Sequence, residues 1–128
     1  MTDTTTTHPA TGELVDTYIE MWRATDPAAR AELIARAFTT GGRHVDPVAD
    51  VAGHDQLAAM LAGVHTTYPG FTIDRISGID QHGDQVRFAW QLAAADGTPL
   101  VVGLDVGELA DGRFARIASF WGDLPERV

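Results

Sequence analysis

Two acidic residues and one tyrosine occupy positions where acid–base chemistry is feasible, and Asp105 stands out among them. It is the one carboxylate on a predicted sheet face that is otherwise apolar, and Gly103 and Gly107 flank it along its strand. A buried, unpaired carboxylate raises its pKa, stays protonated and becomes a hydrogen-bond donor. The two glycines predict open space beside that donor. The same pattern also fits an Asp105 that orders the sheet by binding a backbone N–H or Arg116, with glycines that bend the strand.

Asp46 and Tyr18 are the other two candidates. Asp46 lies in the segment His44-Val45-Asp46-Pro47, where proline interrupts an extended stretch and a side chain can point into a cavity. Turn formation accounts for the same segment, because Asp before Pro is common in turns. Tyr18 carries the only hydroxyl in the apolar stripe of the first predicted helix. In the core that hydroxyl needs a hydrogen-bond partner, and in a site it would donate from the interior.

The five histidines do not have the spacing of a metal site. His44 and His54 are ten residues apart in irregular chain, and neither has a ligand partner at helical spacing. The sequence also has no glycine-rich phosphate loop and no nucleophile motif. We therefore expect no metal and no nucleotide cofactor.

Composition excludes several classes of partner. Eighteen acidic residues against nine basic ones, all arginine, give a formal net charge of −9, which disfavours nucleic acid and anionic membrane surfaces. The absence of cysteine excludes disulfides and thiolate metal sites. No apolar run approaches the roughly 18 residues of a membrane span. Residues 1–11 have neither the basic nor the apolar region of a secretory signal, so we expect a cytoplasmic protein.

The order of predicted elements indicates an α+β fold. We expect a flexible leader over residues 1–11 and a single domain over residues 12–128. Helical periodicity comes first, and alternating strands joined by Asp-Gly turns follow it. This pattern predicts a curved antiparallel sheet packed on three N-terminal helices. The helices are predicted at 12–25, 26–38 (ended by Gly41-Gly42) and 55–67, a short extended piece at 43–51, and the strands at 71–79, 85–95, 100–109 and 114–121.

The Asp96-Gly97 turn predicts a strand register if its loop has two residues. Phe88 then faces Asp105, Trp90 faces Gly103 and Leu92 faces Val101. The opposite face of this hairpin is too apolar for full exposure, so we expect a second chain or another element to cover it. Its apolar members include Leu100, Val102, Leu104 and Val106.

These features together resemble the nuclear-transport-factor-2-like (NTF2-like) superfamily, and most closely its SnoaL-like, polyketide-cyclase-type domains. The resemblance covers about residues 12–123. It rests on Tyr18-Ile19-Glu20, on Val45-Asp46-Pro47 before Gly53, and on Leu104-Asp105-Val106 before Asp111-Gly112. It implies a cone-shaped fold, a bent sheet closed by helices around a deep apolar pocket. It also implies a homodimer formed through the outer sheet face.

Within this superfamily the ketosteroid isomerases offer a residue-by-residue comparison. Their catalytic tyrosine, general-base aspartate and protonated aspartate correspond to Tyr18, Asp46 and Asp105. The resemblance implies that Asp46 abstracts a proton next to a carbonyl, while Tyr18 and a neutral Asp105 donate to the enolate oxygen. It implies a cofactor-independent isomerase or aldol-type cyclase that acts on a small apolar ligand. We expect the binding surface to consist of Trp22, Phe88, Trp90, Gly103, Gly107 and Trp121.

Two other functions remain open at this point. One is a non-catalytic protein that binds an apolar metabolite, since the fold hosts many functions. The other is an epoxide hydrolase of the limonene type, which needs an Asp-Arg-Asp set on the late strands where this chain has Ser119, Gln91 and Trp90. A cavity lined by Asp46, Tyr18 and Asp105 together favours catalysis. An Asp105 paired with Arg116 favours binding alone.

Overall fold

Three helices lie early in the chain. The computed structural model describes residues 9–128, with α1 at Pro9–Arg23, α2 at Pro27–Ala37 and α3 at His54–Thr67. Helix α2 begins as predicted, because the Asp26 carboxylate accepts the Ala29 N–H at 2.9 Å and Pro27 fits the first turn. Helix α1 begins three residues earlier than predicted, at Pro9. The rest of the predicted leader, residues 1–8, lies outside the described residues.

Seven strands form one curved, unclosed sheet in the described chain. Its order is β2-β1-β7-β6-β5-β3, with β4 paired to β5. The α+β prediction is confirmed, with the difference that the sheet is mixed: β1 runs parallel to β7, and every other pair is antiparallel. The strands are β1 (Phe38–Val45), β2 (Asp50–Ala52), β3 (Thr72–Arg75), β4 (Asp80–His82), β5 (Gln85–Ala93), β6 (Pro99–Ala110) and β7 (Arg113–Trp121).

Two further differences from the prediction concern β1 and the strand predicted at 71–79. Gly41-Gly42 does not end α2 but lies within β1, which begins directly after the helix at the fully buried Phe38. Gly42 is needed in this strand because a Cβ there would overlap the Phe38 side chain. The predicted strand 71–79 is two short strands, β3 and β4, that pair with different parts of β5.

The predicted register of the central hairpin is confirmed. Phe88 pairs with Asp105, Trp90 with Gly103 and Leu92 with Val101. The register shifts only next to the turn, where Ala93 pairs with Pro99. This pairing directs the Asp105 side chain to the same sheet face as the buried Phe88 and Trp90, towards the helices.

The open space expected beside Asp105 is absent from the described structure. A Cβ on Gly103 would overlap the Trp90 indole, and a Cβ on Gly107 would approach the Phe114 ring within 2.6 Å. The two glycines therefore admit aromatic rings close to the backbone of β6. Asp105, which lies between these two glycines, is 1% exposed.

Helix α1 packs its apolar stripe on this concave face. Tyr18 is buried among three phenylalanine rings, with centroid distances of 5.7 to 6.0 Å to Phe38, Phe88 and Phe114. Aromatic packing of this kind fixes the orientation of the phenol. No helix in the described range is long and apolar enough to cross a membrane.

Candidate active site

A cavity of about 450 Å³ lies between the concave sheet face, α1 and α3, and all three predicted catalytic residues line it. Its volume falls in the range of small-molecule sites. Most of its wall is apolar. Its polar side chains include Tyr18 on α1, His44 on β1, Asp46 directly after β1, Asp105 on β6 and Ser119 on β7. The lining residues that the sequence prediction did not name are His44, Val48, Ala49, Met60, Gly63, Val64, Thr67, Tyr68, Ile73, Leu92, Leu100, Val101 and Ser119.

Tyr18 is hydrogen-bonded to Asp105. The phenol oxygen Oη lies 2.7 Å from Asp105 Oδ2, and both side chains are buried. Burial, followed by the negative charge and the hydrogen bond of Asp105, raises the pKa of Tyr18 well above its ordinary value. Tyr18 therefore remains a neutral phenol that can donate a hydrogen bond.

Asp105 is held by donors and has no arginine partner in the described structure. Trp90 Nε1 donates to Asp105 Oδ1 at 2.8 Å, while Arg116 lies near Glu108 instead, at 3.7 Å. Burial raises the pKa of Asp105, and the hydrogen bonds from Ser119, Trp90 and Tyr18 only partly oppose this rise. The environment thus favours the protonated acid more than water does.

The partners of a neutral Asp105 determine where its proton lies. The Trp90 indole can only donate, so Oδ1 must accept, and the acid proton belongs on Oδ2 facing Tyr18. When Asp105 is protonated, Tyr18 Oη accepts a hydrogen bond from it, and the Tyr18 O–H is free to donate to a bound ligand.

Asp46 has the opposite environment. Its Oδ1 accepts the backbone N–H groups of Val48 and Ala49, each at 2.8 Å, and its Oδ2 lies 2.9 Å from His44 Nε2. Burial raises the pKa of Asp46, but these hydrogen bonds outweigh it, and the pKa lies below its ordinary value. Asp46 is therefore an ionised carboxylate. The sequence left open whether Asp46 forms a turn or lines a cavity. The structure shows that it does both.

His44 is the polar residue that the sequence prediction missed, because the histidines were considered only as metal ligands. It is 2% exposed, and its Nδ1 has no hydrogen-bond partner within residues 9–128. The available signal was the spacing of two between His44 and Asp46, which places both side chains on one face of an extended segment. Across the described chain no group of three or more histidine, aspartate or glutamate residues could hold a metal ion.

Three of the six predicted binding residues line the cavity: Trp22, Trp90 and Trp121. The other three do not, because Phe88 packs edge-on against Tyr18 and the spaces over Gly103 and Gly107 are filled by rings. Trp22 lies between the polar groups, with ring centroids 6.3 Å from Tyr18 and 5.6 Å from His44.

The Trp22 indole N–H is buried and has no partner that meets hydrogen-bond geometry in the described part of the chain. It nevertheless acts to lower the pKa of Tyr18, against the larger effects of burial and of Asp105. A nearby N–H with this effect stabilises negative charge on the phenol oxygen. Trp22 is therefore a second potential donor to an anionic ligand atom.

Ser119 takes the place where a limonene-type epoxide hydrolase would need an acid. It pairs with Asp105 across β6 and β7, and its Oγ accepts the Trp121 indole N–H at 3.1 Å. A serine in this position supports Asp105 by hydrogen bonding and supplies no second carboxylate.

Comparisons with known proteins bear on the family and the fold. The family model described as the SnoaL-like domain matches residues 15–117. A proposed isomerase of the SnoaL-like family from Agrobacterium tumefaciens is 28% identical, with a TM-score of 0.85 over 91% of this chain and 100% of the other. A search of curated proteins found no match.

Two more distant structures share the fold. A proposed SnoaL-like polyketide cyclase from Jannaschia is 18% identical, with a TM-score of 0.69 over 91% of this chain and 90% of the other. A proposed ketosteroid isomerase from Kribbella flavida is 19% identical, with a TM-score of 0.67 over 93% of this chain and 82% of the other.

Proposed function

The chain belongs to the SnoaL-like domain family, and we propose that it is a cofactor-independent enzyme that moves a proton on the carbon next to a carbonyl group. Such a reaction is performed by isomerases and by aldol-type cyclases. The observation that carries the proposal is that two polar pairs, the hydrogen-bonded Tyr18 and Asp105 and the hydrogen-bonded His44 and Asp46, line the same apolar cavity.

The first pair, Tyr18 and Asp105, suits the oxygen of the substrate. As a proton leaves the α-carbon, negative charge develops on the carbonyl oxygen, and preorganised donors stabilise that charge strongly in a dry site. The Tyr18 O–H, backed by Asp105, and the N–H of Trp22 are the donors present.

The second pair, His44 and Asp46, is suited to take the proton that leaves the α-carbon. Asp46 is ionised and Asp105 is shifted towards its neutral form, so two carboxyl groups of one cavity have pKa values displaced in opposite directions. These opposite pKa shifts assign the role of proton acceptor to the side of the cavity with Asp46, and the role of hydrogen-bond donor to the side with Asp105. A positioned general base contributes about 10²- to 10⁴-fold to a proton-transfer rate.

The substrate class follows from the wall of the cavity. Tryptophan, leucine, valine and methionine side chains make most of its surface, and the described lining contains no arginine or lysine that would pair with a carboxylate or phosphate. A small, uncharged, largely apolar ketone fits this wall. Its carbonyl oxygen would lie at Tyr18 and its α-carbon on the side of His44 and Asp46.

Exchange of α-protons tests the proposal without knowledge of the natural substrate. We expect the protein to catalyse deuterium incorporation from D₂O into a panel of apolar ketones, such as 2-indanone and 2-tetralone, followed by proton NMR. Asp46→Asn should lower the rate by about 100-fold or more with little change in ligand binding. Asp50→Asn is the matched control, because Asp50 lies four residues after Asp46 in the chain, is exposed and pairs with Arg43.

Two outcomes contradict the proposal. If wild type binds the ketones but accelerates exchange for none of them, the cavity is that of a binding protein. If Asp46→Asn exchanges as fast as Asp50→Asn, the pair His44–Asp46 does not take part in the chemistry.

A further inference from the structure

We infer that the proton is taken by His44 Nδ1, and that Asp46 is a positioning residue that acts through the imidazole. This inference rests on the proposed function and changes the assignment that the resemblance to ketosteroid isomerases implied, in which the carboxylate itself is the base. It follows from the hydrogen bonds of the two side chains.

The tautomer of His44 is determined by Asp46. An ionised carboxylate can only accept hydrogen bonds, so His44 Nε2, at 2.9 Å from Asp46 Oδ2, must be the nitrogen that carries the proton. In the neutral imidazole Nδ1 then has a free lone pair. That nitrogen is buried, lies in a ring that lines the cavity, and has no partner in the chain from residue 9 onwards.

The hydrogen bonds of Asp46 make it a poor base. Its Oδ1 already accepts two backbone N–H groups and its Oδ2 accepts the imidazole, so three donors stabilise the charge that protonation would remove. The same three bonds fix the carboxylate firmly. A carboxylate of this kind is suited to hold a histidine in one tautomer and to stabilise the imidazolium that forms.

The proposed step is balanced within the site. The Nδ1 lone pair takes the α-proton, the C–H electron pair forms the C=C bond of the enolate, and the carbonyl π electrons move to the oxygen that Tyr18 binds. The imidazolium is stabilised by Asp46. Return of a proton from Nδ1 to a carbon of the same substrate regenerates the neutral histidine, and no co-reactant is consumed. In D₂O the proton on the imidazolium exchanges with solvent before this return, and the returned deuteron labels the substrate carbon.

Chemical rescue tests the role of the nitrogen. His44→Ala should lower α-proton exchange of 2-tetralone by about 100-fold or more, and added imidazole should restore a substantial part of the rate by entering the vacated space. His82→Ala is the matched control, because His82 is a surface residue. His44→Gln preserves more of the packing and should be as inactive as His44→Ala, without loss of ligand binding.

Nitrogen NMR tests the inference independently of turnover. With ¹⁵N-labelled histidine at about pH 8, above the ordinary imidazole range, His44 should carry its proton on Nε2 and have an unprotonated Nδ1. Asp46→Ala should raise the population of the Nδ1–H tautomer. A change in fold alone would not produce that specific redistribution.

The outcomes separate this inference from the proposed function. If wild type catalyses exchange and His44→Ala retains it while Asp46→Asn loses it, Asp46 is the base and the inference is wrong, although the function stands. A wild-type Nδ1–H tautomer would also overturn the inference. If no ketone exchanges, the function fails, and with it the catalytic role of His44.

Discussion

The two carboxyl groups of the cavity respond to pH in opposite directions. Asp46 has a lowered pKa in the folded protein, so its contribution to stability is present above the unfolded value of about 4 and is lost as pH falls through the folded value. Asp105 has a raised pKa, so its contribution is present below about pH 4 and is lost as pH rises through the folded value. In this cavity the environment therefore stabilises the charged form of Asp46 and the neutral form of Asp105.

Neutral amide variants should reveal this difference in the free energy of unfolding. Relative to wild type, Asp46→Asn should be destabilised at neutral pH, and the difference should shrink below about pH 4. Relative to wild type, Asp105→Asn should gain stability as pH rises above about 4, because an amide resembles the protonated acid. Urea denaturation over a series of pH values measures both.

The two variants serve as controls for each other, since each replaces a buried aspartate by an isosteric amide in the same cavity. Parallel pH trends for the two would contradict the assigned charge states. A pH-independent difference for both would mean that neither pKa is shifted on folding.

Tyr18 should matter for stability and for binding of an enolate mimic. Tyr18→Phe removes the hydrogen-bond partner of Asp105 Oδ2 and leaves a buried carboxyl group unpaired, at a cost of about 1–3 kcal/mol in the free energy of unfolding. It should also weaken binding of 2-naphthol, an apolar enol with an acidic oxygen, as measured by fluorescence titration. Tyr68→Phe is the control, because Tyr68 lines the cavity but is half exposed. If both variants bind 2-naphthol with equal affinity, the Tyr18 hydroxyl does not donate a hydrogen bond to the ligand.

The resemblance to ketosteroid isomerases predicted the shared position of Tyr18, Asp46 and Asp105, which residue types and spacing alone left open, and it did not predict a role for His44. The predicted extended piece at 43–51 already places His44 and Asp46 on one face of the chain. The sequence does not indicate that this face lines a cavity. Parallel pairing of β1 with β7 is a long-range contact that local periodicity does not encode.

At the scale of elements, β6 depends on glycines that make room for aromatic rings. The sequence predicted which residues face each other across β5 and β6 because a turn and alternation determine register. It did not predict that the Trp90 ring covers Gly103, because a side-chain rotamer is set by packing from all sides. The two glycines therefore predicted empty space beside Asp105, whereas aromatic rings fill that space.

Gly103→Ala should destabilise the protein by about 1–3 kcal/mol, because its Cβ would overlap the Trp90 indole. Displacing that indole should also disturb the hydrogen bond from Trp90 to Asp105 and weaken 2-naphthol binding. Gly41→Ala is the matched control, a strand glycine with open space around its added Cβ. Thermal unfolding and fluorescence titration measure the two effects, and equal behaviour of the two variants would contradict the packing argument.

At the scale of the whole molecule, the outer face of the sheet has an apolar patch, here defined as Val102, Leu104 and Phe120. Their exposed fractions are 47%, 36% and 61%. Register places Phe120 beside Leu104, and Val102 lies on the same face of β6 two residues away, so the three side chains form one surface. We propose that a second copy of the chain covers this patch, since a self-complementary face pairs about a twofold axis.

A charged side chain within the apolar patch should separate the two copies. Val102→Glu should shift the mass measured by sedimentation equilibrium from dimer to monomer, whereas Arg87→Glu, an exposed substitution on the same outer face away from the apolar patch, should not. A monomeric wild type would contradict the proposal. The formal charge of −9 is compatible with either state, because the patch itself is uncharged.

The stereochemistry of α-proton exchange tests the central claim most directly. A ketone held with its oxygen at Tyr18 presents one face of its α-carbon to His44, so only one of two equivalent protons should be taken. Wild type in D₂O should convert 2-indanone stepwise to a product with one deuterium at each α-carbon, and further incorporation should proceed only at the buffer rate. Equal enzymatic loss of both protons, or no loss above buffer, would contradict a fixed base and donor in one cavity.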